Sequence, residues 1–371
     1  FSKIDTKTLA FVPDLSDWTV ALPIFIVPLT VQWWSTWYPG AEPGGGSYIA
    51  QRMLAAKSER DAMAGTLFFN VAHYALRPWP WIIVALASML VFPEVADIRR
   101  ALPHVDPALV GHDMAYPAML TFLPPGMLGV MVAGLLAAYV STISTHLNWG
   151  TSYLVHDLYR RFLEPDATER HYVMAGRLVT ALLMIAAGLL TLVLESARGT
   201  FNLLLSIGAG TGLLYLLRWF WWRINAWSEI AAMASSFVLA VGLLLLERNG
   251  VTIPSHLSLI VTVAVTTAVW LAATFLTPPT DAATLRRFYT LARPSGPGWT
   301  GVRRACGDLA PSEDLHAAFV GWAASCVFVY SALFGVGLLL MGRTSQAVIA
   351  TVLLVASGAV MWRSVSRMWA Q

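Results

Sequence analysis

The chain is 371 residues long, 57% hydrophobic and only 12% charged, with a mean hydropathy of +0.62 and a net charge of +3. That balance excludes an ordinary soluble domain and fits an all-α polytopic membrane protein. So small a net charge makes no case for nucleic-acid binding. Cys306 and Cys326 show no ligand spacing, and nothing pairs them in a disulfide.

The first residue is Phe1, with no initiator methionine and no targeting segment, so the chain reads as a fragment that lacks its N-terminal part. Residues 1–17 are polar enough to lie outside the membrane. A first span is expected over 18–38, bent by Pro23 and Pro28 and crowded by Trp33, Trp34, Trp37 and Tyr38. Residues 39–47 (PGAEPGGGS) cannot continue a regular helix. They read either as an ordinary loop or as a broken helix lining a cavity at membrane depth, the arrangement found at transporter binding sites.

A second span, 64–92, carries His73 and Arg77. An arginine inside an apolar segment is costly. It is expected to be paired, to line a wet path, or to snorkel to the surface. Residues 94–116 form a polar outer loop whose His104, Asp106, His112 and Asp113 lack metal spacing. A third span runs over 127–156, followed by a charged loop, a fourth span over 173–194 and a fifth over 201–217. GAGTG at 208–212 has no preceding strand, so it fits close helix packing and not a dinucleotide loop. Residues 218–223 (RWFWWR) are an interfacial belt. Four further spans, 226–246, 257–276, 317–341 and 347–362, bring the expected number to about nine. The polar stretch 278–316 has room for an amphipathic helix on the membrane surface.

Of the 24 lysines and arginines, sixteen fall in loops on one side of this topology and seven on the other, with Arg77 left inside the membrane. The bias places 278–316 and the C-terminus in the cytoplasm.

Within the third span Ala138, Ser141, Thr142 and Thr145 follow i, i+3, i+4, i+7 spacing and share a helix face without a formal charge. Hydroxyl and carbonyl oxygens suit a small hard cation. The same pattern also suits a face on which helices pack closely. The wording adds to this. AAYVSTISTHLN at 137–148, with its Asp- and Arg-rich exit, resembles the eighth core helix of the sodium:solute symporter family. QRMLAAKSE at 51–59 is similar to that family's segment after the sixth core helix.

The resemblance implies a five-plus-five inverted-repeat (LeuT-like) transporter core. Residues 18–225 would form its second repeat and 226–371 would be accessory helices, with the first repeat missing from this chain. It also implies sodium as the coupling ion, held by Ala138, Ser141 and Thr142, and sodium-driven symport of a small organic solute across the cell membrane, in contact with membrane lipid. The segment at 38–44 departs from the sugar-transporting members. Trp37, Tyr38, Glu42, His73 and Arg77 are therefore candidate contacts for a charged or zwitterionic solute. A membrane sensor that keeps the fold without transport is the alternative. A membrane-embedded enzyme lacks support, since no nucleophile–base pair or HExxH pattern occurs. His146 reads as a polar core contact.

Overall fold

A computed structural model describes residues 3–35, 47–192, 197–251, 253–312 and 314–369. Among these residues the regular structure is helical, apart from one isolated bridge between Trp221 and Gly298. Helix α1 (Trp18–Gln32) starts where Asp17 accepts a hydrogen bond from the Thr19 amide at 3.0 Å. Its prolines lack an amide proton, and the backbone widens into π turns at Leu22–Ile26 and Pro28–Gln32. A short α2 (Ser47–Leu54) precedes α3 (Glu59–Val91), which Ser58 caps by accepting from the Asp61 amide at 3.1 Å.

Helices α4 (Val95–Ala101) and α5 (Ala115–Leu120) are short. Proline at the first turn opens the long α6 (Pro125–Leu163), whose last part, Tyr153–Leu163, is π-helical. Then follow α7 (Glu169–Thr191), α8 (Ala197–Ile207), α9 (Thr211–Leu217), α10 (Ala226–Arg248) and α11 (Ser255–Leu276). Two small helices, α12 (Ala282–Ala292) and α13 (Thr300–Ala305), occupy the polar stretch, and α14 (Leu315–Leu340) and α15 (Thr344–Trp369) close the chain.

Among the described residues seven helices (α3, α6, α7, α10, α11, α14 and α15) are long and apolar enough to cross a membrane. They match seven of the nine expected spans. The first expected span is the shorter apolar helix α1, and residues 36–38 at its expected end lie outside the described residues. The expected fifth span is not one helix. It divides into α8 and α9 at Gly208–Gly210, where Gly210 adopts a left-handed φ of 86°.

The residues group into two compact units, Phe1–Ile83 with Phe201–Gln371, and Val84–Thr200. In the first unit α14 packs along α15 and α10 along α11. Small residues set the approach: a Cβ on Gly321 would sit 3.1 Å from Ser364 Cβ, and one on Gly358 would sit 3.1 Å from the Phe328 ring. Trp79 of α3 lies directly on Gly337 and donates its indole N–H to Leu333 O at 2.9 Å. Trp270 is fully buried among Leu214, Tyr215, Ile224 and Ala232.

The glycines of 208–212 serve close approach, as the sequence suggested, but by breaking the helix. The Gly210 amide donates to Ser35 O at 2.8 Å, and a Cβ at Gly210 would fall 2.7 Å from Thr266 Cβ. A Cβ at Gly212 would lie 3.1 Å from Trp34 O.

In the second unit Ile98, Val110 and Ala118 form a small core under the polar 94–116 segment. Helices α6 and α7 make a hairpin. Thr151 and Thr180 share a hydroxyl hydrogen bond of 2.8 Å, and Gly150 faces Leu183. At the turn Arg160 pairs with Glu169 at 3.0 Å, and its guanidinium lies over the Tyr172 ring. The Tyr172 hydroxyl donates to Glu164 O at 2.5 Å.

Candidate functional site

Helix α6 runs unbroken through Ala138, Ser141 and Thr142, so the spacing that put them on one face holds in the structure. All three are exposed. The Ser141 and Thr142 hydroxyls differ from several others in the spans, and Ser144 on the same helix shares their state. Thr66, Thr180, Thr262, Ser325 and Thr351 each donate to the carbonyl one turn earlier at 2.8 Å, as threonine and serine in apolar helices usually do. Thr145 on the same face does so too, donating to Ser141 O at 2.8 Å. Among the described residues the hydroxyls of Ser141 and Thr142 make no such bond. The Ala138 carbonyl therefore keeps a lone pair that the Thr142 hydroxyl does not take. Two hydroxyl oxygens and one carbonyl oxygen, uncharged and on a single exposed stripe, are oxygens of the kind a hard monovalent cation takes.

His146 is exposed, and its Nδ1 lies 2.8 Å from Thr142 O. The expectation of a polar core contact is corrected: the ring bonds to its own helix, because a histidine four residues on from Thr142 reaches that carbonyl directly.

In the other unit His73 and Arg77 are one assembly. Arg77 Nη1 donates to His73 Nδ1 at 2.8 Å, since a guanidinium has no acceptor, and the guanidinium lies 4.7 Å over the Trp81 ring. His73 stacks on Phe69 at 4.9 Å. The π turn Ala72–Leu76, where the Arg77 amide bonds Ala72 O at 3.0 Å, precedes Pro78 and Pro80, which have no amide proton to give. The helix is continuous on both sides, so Arg77 stands about 20 Å or more from either end at 1.5 Å per residue. Among the described residues no carboxylate lies within ion-pair distance of it. Trp37, Tyr38, Glu42 and the 39–46 segment lie outside the described residues.

The sequence reading did not find the buried hydroxyl cluster around the α8–α9 break. Ser35, Ser236, Thr262 and Thr266 are fully buried there, Ser236 donates to Ile207 O at 2.5 Å, and Thr266 Oγ1 has no hydrogen-bond partner. The GAGTG string was its only signal. Among the described residues no group of three or more His, Cys, Asp or Glu is placed to hold a metal ion.

The family model for the sodium:solute symporter family matches residues 17–238. The chain belongs to that family. A symporter-family relative, the sodium/glucose cotransporter of Vibrio parahaemolyticus, is 26% identical over 205 residues, covering 53% of this chain and 38% of the relative. Sodium/myo-inositol cotransporter 2 of Sus scrofa is 30% identical over 146 residues, 38% of this chain and 21% of the relative. Sodium/glucose cotransporter 4 of Danio rerio is 25% identical over 213 residues, 54% of this chain and 32% of the relative. The chain thus spans less than two fifths of these curated relatives. No solved structure matches it. As a symporter-family member with seven apolar helices it is a multi-pass membrane protein.

Proposed function

We propose that the full-length protein carries out sodium-coupled symport of a small organic solute across the cell membrane, with the C-terminus cytoplasmic. In this reading residues 18–225 form the second inverted repeat of the core, and residues 226–371 add accessory helices. The first repeat, outside this sequence, completes the sites. Sodium is held by the hydroxyls of Ser141 and Thr142 and the carbonyl of Ala138. The observation that carries the reading is that these two hydroxyls, exposed on the face the family uses, are not bonded back to their own helix.

Sodium binding would favour the outward-open state, and the shared cavity would then open inward. Moving one positive charge down the membrane potential contributes about 2.3 kcal/mol per 100 mV, enough for roughly fifty-fold accumulation.

For the solute, the relatives named for glucose and myo-inositol point to hydroxylated molecules. The His73–Arg77 assembly, with Trp37, Tyr38 and Glu42 as further candidate contacts, points to one that also carries a charge. Proteoliposomes holding the full-length protein, given labelled hexoses, inositols, amino acids and carboxylates, separate these classes. One class is expected to accumulate only with an inward sodium gradient. Uptake that is the same in sodium and in choline for every class would overturn the proposal.

A further inference from the structure

The transport reading makes no use of the α8–α9 break. Four buried side-chain nitrogen or oxygen atoms have no hydrogen-bond partner among the described residues, and three of them fall within five residues of α11: Thr266 Oγ1, Thr267 Oγ1 and Trp270 Nε1. Buried polar atoms are rarely left so, and a cluster of them points to a bound molecule. We propose that Thr266 and Trp270 bind one internal water molecule at the break.

Two helices build the position. Thr266 and Trp270 are both fully buried and lie one turn apart on one face of α11. That face meets α9. Thr266 lies against Gly210, where a Cβ would fall 2.7 Å from Thr266 Cβ, and Trp270 packs on Leu214, one turn further along.

The hydroxyls here depart from the habit of their own helix. Thr262 and Thr274 each donate to the carbonyl four residues earlier, at 2.8 and 2.7 Å. Thr266 and Thr267 do not, so the carbonyls of Thr262 and Val263 each keep a lone pair that those hydroxyls leave free. Val263 O is turned to the break, 3.3 Å from where a Gly210 Cβ would stand.

The groups themselves select the occupant. An indole N–H donates and cannot accept, so the occupant must offer a lone pair to Trp270. A hydroxyl gives or takes, and Val263 O only takes. Water accepts from the indole, donates to the carbonyl and bonds Thr266 either way. A bare cation would face the positive end of the indole N–H, and an anion would be buried among uncharged side chains. The close approach of Gly210 and Thr266 favours the smallest molecule of this chemistry. Leaving both groups unpaired costs more than immobilising one water. The Gly210 amide already ties the break to Ser35 O at 2.8 Å, and the Ser236 hydroxyl ties it to α10 through Ile207 O at 2.5 Å. The water supplies the polar tie to α11.

Cryo-electron microscopy of the full-length protein in lipid nanodiscs, at a resolution that shows ordered water, tests this. A single peak is expected within hydrogen-bond distance of both Thr266 Oγ1 and Trp270 Nε1, equally strong in sodium and in choline buffer. In the same protein, magnetisation transfer from water to the Trp270 indole proton is expected, the signal being assigned by its loss in Trp270→Phe. Thr266→Val keeps the shape of the side chain without its hydroxyl and is expected to lose both peak and transfer, and Thr266→Ser to keep them. A Thr266 hydroxyl bonded to Thr262 O with no peak at the indole, a peak present only in sodium, or a peak and transfer unchanged in Thr266→Val would each overturn the proposal.

Discussion

At the scale of single residues, the spacing of Ala138, Ser141 and Thr142 was legible in the sequence because a helix of 3.6 residues per turn fixes which positions share a face. The bonding of their hydroxyls was not legible. Thr142 and Thr145 have the same chemistry and lie three residues apart on that face, yet of the two only Thr145 bonds back, a rotamer choice that composition does not encode. Gly210 is a second case. The string around it promised close packing, but its positive φ follows from the contact with Thr266 and the bond to Ser35 O, both distant in sequence. Gly210→Ala is expected to destabilise the protein by more than about 1 kcal/mol, from strain at positive φ and collision with Thr266. Thermal unfolding in detergent measures it, and a midpoint equal to the parent's would refute the strained geometry.

At the scale of elements, apolar length foretold nine spans, of which seven are long helices among the described residues, and Pro23 and Pro28 foretold a bend in the first, where the backbone widens into π turns. The α8–α9 break was missed because its cause is tertiary. The α3–α14 contact was equally hidden, since nothing in the sequence pairs Trp79 with Gly337. Gly337→Val is expected to cost about 1–3 kcal/mol by overpacking against that indole. A Trp79→Ala background is expected to absorb most of the loss, and additive costs in the double variant would contradict the contact.

Helix α12 carries a pH dependence. The Thr284 amide, and then its hydroxyl, hold the Asp281 carboxyl below the usual carboxylate range. A carboxylate whose pKa is lowered on folding stabilises the folded form above its unfolded pKa, and that contribution is lost as pH falls through the lowered value. Amide exchange in the first turn of α12 is expected to accelerate under acid, while Asp281→Ala is already fast at neutral pH. Exchange that ignores both pH and the substitution would rule out the cap.

At the scale of the whole molecule, composition settled the class and the family wording settled the kinship, but neither shows sidedness. The bias of sixteen cationic residues against seven predicts that Arg99, which precedes the membrane-long α6, and Arg160, in the last turn of α6, face opposite sides. Cysteine-accessibility labelling at both positions tests that, and labelling from a single side would reverse the assignment. The compact units do not follow chain order, because packing joins Phe1–Ile83 to Phe201–Gln371.

The most direct test of sodium coupling is the sodium concentration giving half-maximal uptake by the full-length protein carrying Thr142→Ala, Thr142→Ser or Ser141→Ala. Alanine removes one ligand oxygen while keeping a good helix former. Both alanine variants are therefore expected to need several-fold more sodium at near-normal expression, and Thr142→Ser to stay close to the parent. An unchanged sodium requirement in both alanine variants would make the face a packing surface and contradict its role in holding the ion.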